Sequence, residues 1–426
     1  MIENLYSKYL KSSGISTDTR TIQKGNIWFA LKGPNFNANK FAEQALDKGA
    51  LLAVIDDPEY QLGQNTLVVK DGLRALQQLA NYHRNQLKIP FLGITGSNGK
   101  TTTKELVRDV LSTKYKVHAT KGNFNNHIGV PLTILQIDHN IEFAVIEMGA
   151  NAQEEIKQLC EIAEPDFGLI TNIGKAHLEG FGGIEGVFKG KTEMYDFLSQ
   201  KHGKVFVNTN DKRLVEKIDQ LGLESYSFPN TGDYIELTLL RECPELLIDY
   251  SNVTFQTKIT GAYNFENICS ALCVGRYFKI GKADAIQAVA AYDPDNNRSQ
   301  VIKKKSNTII MDAYNANPSS VAEALKSFEQ READNKVVIL GDMLELGAES
   351  GQEHFSIGEL SQKMNFDQIH FCGPLMFDAY KGNDKALYWE NKESLVTYLE
   401  THPIYDSTIL VKGSRGMSLE SLLNIL

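Results

Sequence analysis

The chain has 426 residues, is 42% hydrophobic and 23% charged, and carries a formal net charge of −9 from 44 Lys and Arg against 53 Asp and Glu. At about 100–200 residues per domain this length implies about three domains, with apolar material for more than one core, and argues against a mostly disordered chain. The acidic balance argues against nucleic acid or an anionic membrane as the main partner and leaves room for a local basic cleft for phosphates.

Nothing near Met1–Tyr9 combines a basic stretch, an apolar run and a small-residue cleavage site, and no segment approaches about 18 uninterrupted apolar residues, so a soluble, cytoplasmic protein, acting as a monomer, is expected. The cysteines, Cys160, Cys243, Cys269, Cys273 and Cys372, are odd in number and form no CxxC pair, so neither a zinc site nor a disulfide framework is expected. Cys269 and Cys273 lie one helical turn apart in an apolar pattern and are expected to pack in a core.

In chain order, the first long helical pattern is Leu73–Asn85. It ends at Leu87-Lys88-Ile89-Pro90, where Pro90 disfavours helix at the residue before it. Short apolar runs ending in polar or glycine-rich turns then recur at Phe91–Thr95, Phe143–Met148, Gly168–Asn172, Lys204–Asn208, Thr308–Asp312, Val337–Gly341 and Thr408–Lys412. Most precede a helical pattern, such as Lys104, Leu106, Val107, Val110, Leu111 or Val321, Leu325, Phe328. Buried strands alternating with amphipathic helices imply α/β units with mostly parallel sheets, whose ligands bind beyond the carboxyl ends of the strands. A second break, Asp293–Asn297, completes the division into residues 1–88, 89–297 and 298–426.

The most informative segment runs from Phe91 to Glu105: a strand, the loop Gly96-Ser97-Asn98-Gly99, and a helix opening at Lys100-Thr101-Thr102. Glycines let backbone N–H groups turn towards phosphate oxygens, the helix N-terminus adds partial positive charge, Lys100 adds a full one, and Thr101 offers a hydroxyl to Mg²⁺. The strict phosphate-loop pattern wants glycine at position 94, where Ile94 stands; the shorter Gly96-x-x-Gly99-Lys100-Thr101 remains. Glu147 ends the next strand, Phe143-Ala144-Val145-Ile146, and His177 follows the run Gly168–Asn172 through Ile173-Gly174-Lys175-Ala176. A carboxylate is a hard, preferred Mg²⁺ ligand and a neutral imidazole a less usual one; their shared place at strand ends makes both metal candidates.

Taken together, Gly96–Thr102, Glu147-Met148-Gly149-Ala150, Thr171-Asn172-Ile173-Gly174-x-Ala176-His177, Gly261-x-Tyr263-Asn264-x-x-Asn267 and Asp312-Ala313-Tyr314-Asn315-Ala316-Asn317-Pro318 resemble the Mur ligases, which build the peptidoglycan stem peptide. The segments Gly341–Gly347 and Val411–Arg415 narrow the likeness to the branch that adds D-alanyl-D-alanine to a UDP-N-acetylmuramoyl-tripeptide (UDP-MurNAc-tripeptide). The resemblance implies an α/β protein of three domains: a small N-terminal α/β UDP-binding domain, a central P-loop ATPase domain with a mostly parallel sheet, and a C-terminal Rossmann-like domain. It implies ATP with two Mg²⁺ ions, small-molecule partners only, and an acyl-phosphate intermediate.

Residue by residue, the resemblance implies that Gly96, Ser97, Asn98, Gly99, Lys100, Thr101 and Thr102 cradle ATP, with Lys100 on its phosphates. Thr101, Glu147, His177 and Lys191 would serve the metals, Lys191 aligning with a lysine that is carbamylated in related ligases, because a carbamate can ligate Mg²⁺ where an ammonium cannot. Lys100, Lys191 and His177 are thus the catalytic candidates. Asn267 would offer its amide to adenine, with Asn264 suited to capping that helix; Arg298, Asp312 and Tyr314 would reach phosphate, ribose and base. Asp18-Thr19-Arg20 resembles the uridine-nucleotide module, and Asn125 and Asn126 the loop facing the sugar diphosphate, although asparagines there also suit turns. Asn317 is a further substrate candidate, and Lys412 and Arg415 could hold the carboxylate of the dipeptide or of the stem peptide. One departure is Asn37-Ala38-Asn39, where many relatives read Asp-Gly-His, which puts a peptide-gripping role for that loop in doubt. The competing readings are the ligase adding the third stem residue, folylpolyglutamate synthase, and a P-loop ATPase without ligase activity.

Overall fold

The computed structural model describes residues 1–294 and 297–426, so the centre of the Asp293–Asn297 link, Asp295 and Asn296, lies outside the described residues. The first unit is a four-stranded parallel sheet of Ile15–Ser16, Ile27–Phe29, Leu52–Ile55 and Thr66–Val68, in that spatial order. Asp71 caps the helix Gly72–Gln86, its Oδ1 accepting from the Arg74 N–H at 2.9 Å. That helix buries Ala75, Leu76, Leu79 and Ala80 and packs on two helices of the next unit, Gly129–Ile134 and Glu155–Ala163. Its Arg84 is the rivet: the guanidinium lies 4.0 Å above the Phe91 ring, donates to the carbonyls of Ala163 and Glu164, and pairs with Asp166 at 3.0 Å.

The central sheet has six parallel strands ordered Glu224–Phe228, Lys204–Asn208, Phe167–Ile170, Phe91–Thr95, Phe143–Glu147, Val117–Ala119. The four inner strands read as mainly apolar runs because both faces are covered, whereas the edge strands Glu224–Phe228 and Val117–Ala119 are more polar and less buried. Leu92 and Ile94 join Leu106, Val110, Cys269 and Leu272 on one face, whereas Phe91 joins Met194, Tyr195 and Leu198 on the other, the period-two alternation of a strand. Helix Tyr263–Tyr277 is buried without interruption from Asn267 to Gly275, and a Cβ at Gly275 would stand 2.6 Å from Val110, so glycine permits its close approach to helix Lys100–Ser112. The chain moves outward on one side of Phe91–Thr95, returns, and continues on the other. The loops after Thr95, Glu147 and Ile170 therefore converge at the carboxyl end of neighbouring strands.

A three-stranded antiparallel sheet, Leu237–Arg241, Leu247–Tyr250 and Val253–Gln256, lies outside the expected strands; its buried and half-buried residues alternate rather than running continuously. The third unit is a six-stranded sheet ordered Gln300–Lys304, Asn307–Asp312, Thr408–Lys412, Lys336–Gly341, Gln368–Cys372, Leu387–Trp389, parallel except for the first pair. All five cysteines are free, and Cys269 and Cys273 are core residues. Among the described residues no helix is long and apolar enough to cross a membrane.

Candidate active site

The loop Gly96–Gly99 takes its shape from two left-handed glycines, with φ of 140° and 77°. A Cβ at Gly96 would lie 2.0 Å from Thr171 Oγ1 and one at Gly99 2.3 Å from Asn267 Oδ1, so both positions exclude a side chain by conformation and by space. The loop is tied to the segment after the neighbouring strand. Ser97 N–H donates to the Asn172 carbonyl at 3.0 Å, Asn98 N–H to Asn172 Oδ1 at 3.0 Å, and Thr171 Oγ1 to the Asn98 carbonyl at 2.6 Å. Lys100 folds back over it, donating to the carbonyls of Gly96 at 2.7 Å and Ser97 at 3.0 Å. Burial lowers the Lys100 pKa to about 8, nearby Glu147 opposing that shift and Arg298 adding to it.

At the second residue of helix Lys100–Ser112, Thr101 Oγ1 donates to Glu147 Oε1 at 3.2 Å, and Asn125 Nδ2 donates to the same oxygen at 2.7 Å. Glu147 Oε2 is buried with no hydrogen bond, and the Lys104 ammonium lies 3.7 Å from it. A hydroxyl and a carboxylate with one unsatisfied oxygen, beside a phosphate loop, fit a hard cation that completes its shell with phosphate and water oxygens. Lys104 and Thr120, whose hydroxyl accepts the Glu147 N–H at 3.0 Å, were not anticipated; Lys104 could have been found from its i+4 spacing to Lys100.

Lys191 sits 1% exposed in helix Ile184–Gln200, donating to the Ala150 carbonyl at 3.1 Å, just past Glu147-Met148-Gly149. Burial, and then the nearby Lys100 charge, push its pKa well below that of an ordinary lysine, with Glu155 and Glu193 opposing. His177 meets the third unit. Its Nδ1 lies 2.5 Å from Glu345 Oε2 of the third unit, and among the described residues no three His, Cys, Asp or Glu side chains converge into a metal cluster.

Between the second and third units lies a cleft of about 490 Å³ lined by Asn98, Gly99, Thr102, Asn267, Arg298, Asp312, Tyr314 and Lys412, among others. The Arg298 guanidinium lies 3.6 Å above the Tyr314 ring, and its Nε is buried without a partner. A larger groove of about 880 Å³, between helix Gly72–Gln86 and helix Glu155–Ala163, contains none of the expected site residues.

Several expected substrate residues have other work. Lys412 is buried and pairs with Asp312 at 2.5 Å on the wall of the cleft. Arg415 stands at the Tyr314 hydroxyl, 3.5 Å away. Asn317 caps helix Pro318–Glu329 and donates to Asn98 Oδ1 at 2.7 Å. Asn125 holds Glu147, and Asn126 accepts from the Ile128 and Gly129 N–H groups, the turn chemistry of asparagine. Arg20 is occupied by Asp18 at 2.7 Å in an exposed turn, and the Thr19 carbonyl accepts from Lys48. Asn264 is not a cap, since the helix begins at Tyr263; it donates to the Thr260 carbonyl and accepts from Asn267, whose amide oxygen in turn accepts from Thr103. Asn37 and Asn39 form an internal network with Asp56.

This geometry, a phosphate loop facing a second Rossmann-like unit across one cleft, coincides with what similarity reports. The Mur ligase middle domain matches residues 94–275, and the Mur ligase glutamate ligase domain matches residues 297–415. The chain belongs to the Mur ligase family. Among Mur ligases, the UDP-N-acetylmuramoyl-tripeptide--D-alanyl-D-alanine ligase of Bacillus subtilis strain 168 is 35% identical over 96% of this chain and 92% of its own length. A crystal structure of MurF from Acinetobacter baumannii superposes with a TM-score of 0.88 at 29% identity, covering 100% of this chain and 98% of that one. The MurF ligase of Thermotoga maritima in complex with ADP superposes at 0.86 with 25% identity, covering 98% and 97%. The expected three-domain Mur ligase architecture therefore holds along the whole chain.

Proposed function

We propose that this Mur ligase joins D-alanyl-D-alanine to a UDP-N-acetylmuramoyl-tripeptide at the expense of ATP, making the pentapeptide precursor of peptidoglycan. The observation that supports it most is the shared cleft: the phosphate loop and the third-domain residues Arg298, Asp312 and Tyr314 line one cavity. The chain also matches relatives named for this reaction over nearly its full length.

A carboxylate resists attack by an amine because its charge repels the nucleophile and oxide would have to leave. Phosphorylation removes both obstacles. The terminal carboxylate of the tripeptide attacks the γ-phosphorus, the bond to ADP breaks, and an acyl phosphate forms. The free amine of D-alanyl-D-alanine attacks the acyl carbon, the tetrahedral intermediate collapses with loss of phosphate, and the amine gives up a proton. Lys100 and the backbone N–H groups at the start of helix Lys100–Ser112 hold the phosphates, Asn267 and Tyr314 face the base, and Asp312 faces the ribose. Positioning and charge neutralisation supply most of the acceleration. Thr101 and Glu147 would hold a magnesium ion, which would supply neutralisation of phosphate charge.

The buried, readily neutral amine of Lys191 suits carbamylation, because only an uncharged amine adds carbon dioxide. We assign the uridine nucleotide to residues 1–88, the ATP phosphates to 89–297, and adenosine with the dipeptide to 298–426. The reaction belongs in the cytoplasm and serves cell-wall growth, and through it cell shape and division.

The test is phosphate release from ATP with each acceptor in turn. Release is expected to require both UDP-MurNAc-tripeptide and D-alanyl-D-alanine. Release driven by a single amino acid or by a folate would move the chain to another branch, and release without an acceptor would remove it from the ligases.

A further inference from the structure

The segment Gly341–Gly347 has no part in the scheme above, yet it supplies the third domain's contact with the loop that carries His177. That loop is fixed at one end to the phosphate loop, where Gly174 N–H donates to Ser97 Oγ at 2.8 Å and Ser97 Oγ to the Gly174 carbonyl at 3.0 Å. At the other end it meets the third domain. Lys175 N–H donates to Ser319 Oγ at 3.1 Å, the Lys175 ammonium pairs with Glu353 at 2.5 Å, and Glu179 N–H faces the Glu345 carbonyl at 3.5 Å. Gly347 lies so close that a Cβ there would be 3.0 Å from Glu179.

At the centre of this contact, Glu345 Oε2 lies 2.5 Å from His177 Nδ1, a nitrogen otherwise buried without a hydrogen bond. Both residues hold left-handed backbone angles, with φ of 53° at His177 and 65° at Glu345, a conformation that side-chain-bearing residues seldom adopt and that gathers at functional sites. The contact is not aligned as a ring N–H hydrogen bond, so the carboxylate acts through its charge and by occupying the Nδ1 side. Nε2 has no hydrogen bond among the described residues. With the Glu345 carboxylate more than half exposed, such a pair contributes little to stability, so holding the domains together is a poor account of two strained residues.

We propose that Glu345 is a positioning residue: from the third domain it orients the His177 imidazole, so that the phosphate end of the site is complete only when that domain is docked. The proposal rests on the ligase reading, and its test is separable from it. In the full chain, Mn²⁺ binding in the presence of ADP, followed by electron paramagnetic resonance without any acceptor, is compared for Glu345→Ala, Glu345→Gln, His177→Ala and Glu353→Gln. Glu345→Ala and His177→Ala are expected to weaken Mn²⁺ binding about tenfold or more, the usual effect of losing such a partner. Glu345→Gln should be intermediate, and Glu353→Gln, which breaks only the neighbouring ion pair, unchanged. In turnover, Glu345→Ala should need about tenfold more Mg²⁺ for half-maximal rate, with the KM for D-alanyl-D-alanine unchanged. Wild-type Mn²⁺ binding in Glu345→Ala, or equal weakening in Glu353→Gln, overturns the proposal. The acceptor requirement of the wild-type chain reports separately on the ligase reading.

Discussion

Asn317 Nδ2 donates to Asn98 Oδ1 at 2.7 Å, and through that bond the cap of a third-domain helix grips the tip of the phosphate loop. Asn98 is already held by Asn172 and Thr171, so the Asn317 bond is the one that carries the position of the third domain into the loop.

Two variants separate the roles of Asn317. Asn317→Ala loses both cap and bond and is expected to cost about 1–2 kcal/mol in thermal unfolding. Asn317→Ser keeps a capping oxygen without reaching Asn98, so stability should stay within about 0.5 kcal/mol of wild type while ADP affinity falls as far as in the alanine variant. Equal ADP affinity in wild type and Asn317→Ser would reduce the residue to a cap.

Gly99→Ala meets two obstacles, a φ of 77° and a Cβ 2.3 Å from Asn267 Oδ1. It is expected to abolish measurable ADP binding by calorimetry. Gly99→Ala with Asn267→Ala removes the steric obstacle, leaves the backbone one, about 1–2 kcal/mol, and loses the Asn267 contact with the base, so binding should return only in part, measured against Asn267→Ala alone. Full recovery would show that the left-handed angle carries no cost here.

Lys191→Ala should lose nearly all turnover and regain part of it with added short carboxylates, which can restore an oxygen donor where a carbamate would stand. Mass spectrometry of the native protein should add 44 Da, about the mass of carbon dioxide, at this residue alone. Loss of activity without rescue at any carboxylate concentration would leave Lys191 as a buried amine on the Ala150 carbonyl.

His370 contributes to the acid sensitivity of the third domain. It is fully buried, its Nδ1 accepts from the Trp389 indole at 3.2 Å, and burial lowers its pKa to about 4. The folded protein thus keeps it neutral while the unfolded chain protonates it near an ordinary histidine value. Its contribution is present above about pH 6.5 and is lost as pH falls towards about 4, by about 1.4 kcal/mol per unit. Denaturant unfolding of wild type and His370→Phe across that window should show the slope flattening in the variant. Parallel slopes would place the titration elsewhere.

Much of the central domain was legible in the sequence because a strand buried on both faces must be a continuous apolar run, and Phe91–Thr95 and Lys204–Asn208 are observed at the expected bounds. The antiparallel sheet around Leu247–Tyr250 was not, since its half-buried strands mix polar and apolar residues as loops do. In the site, glycines and the lysine of a phosphate loop announce themselves because their backbone geometry is local. Asparagines do not: Asn125, Asn126, Asn264 and Asn317 have interchangeable donors and acceptors, and each turned out to serve a residue distant from, or different from, the expected ligand.

From the sequence alone, the order of motifs determined the family, the number of domains and the phosphate loop, because each of these is written in contiguous residues whose spacing is set by one strand, one turn and one helix. Tertiary structure decided which charges are already spent. Lys412 belongs to Asp312, Asn125 to Glu147 and His177 to Glu345, pairs separated by 22 to 168 positions whose meeting depends on strand order and domain docking. A side chain's chemistry is set by its residue type, but its partner is set by packing, and only the packed chain brings those partners within hydrogen-bond reach.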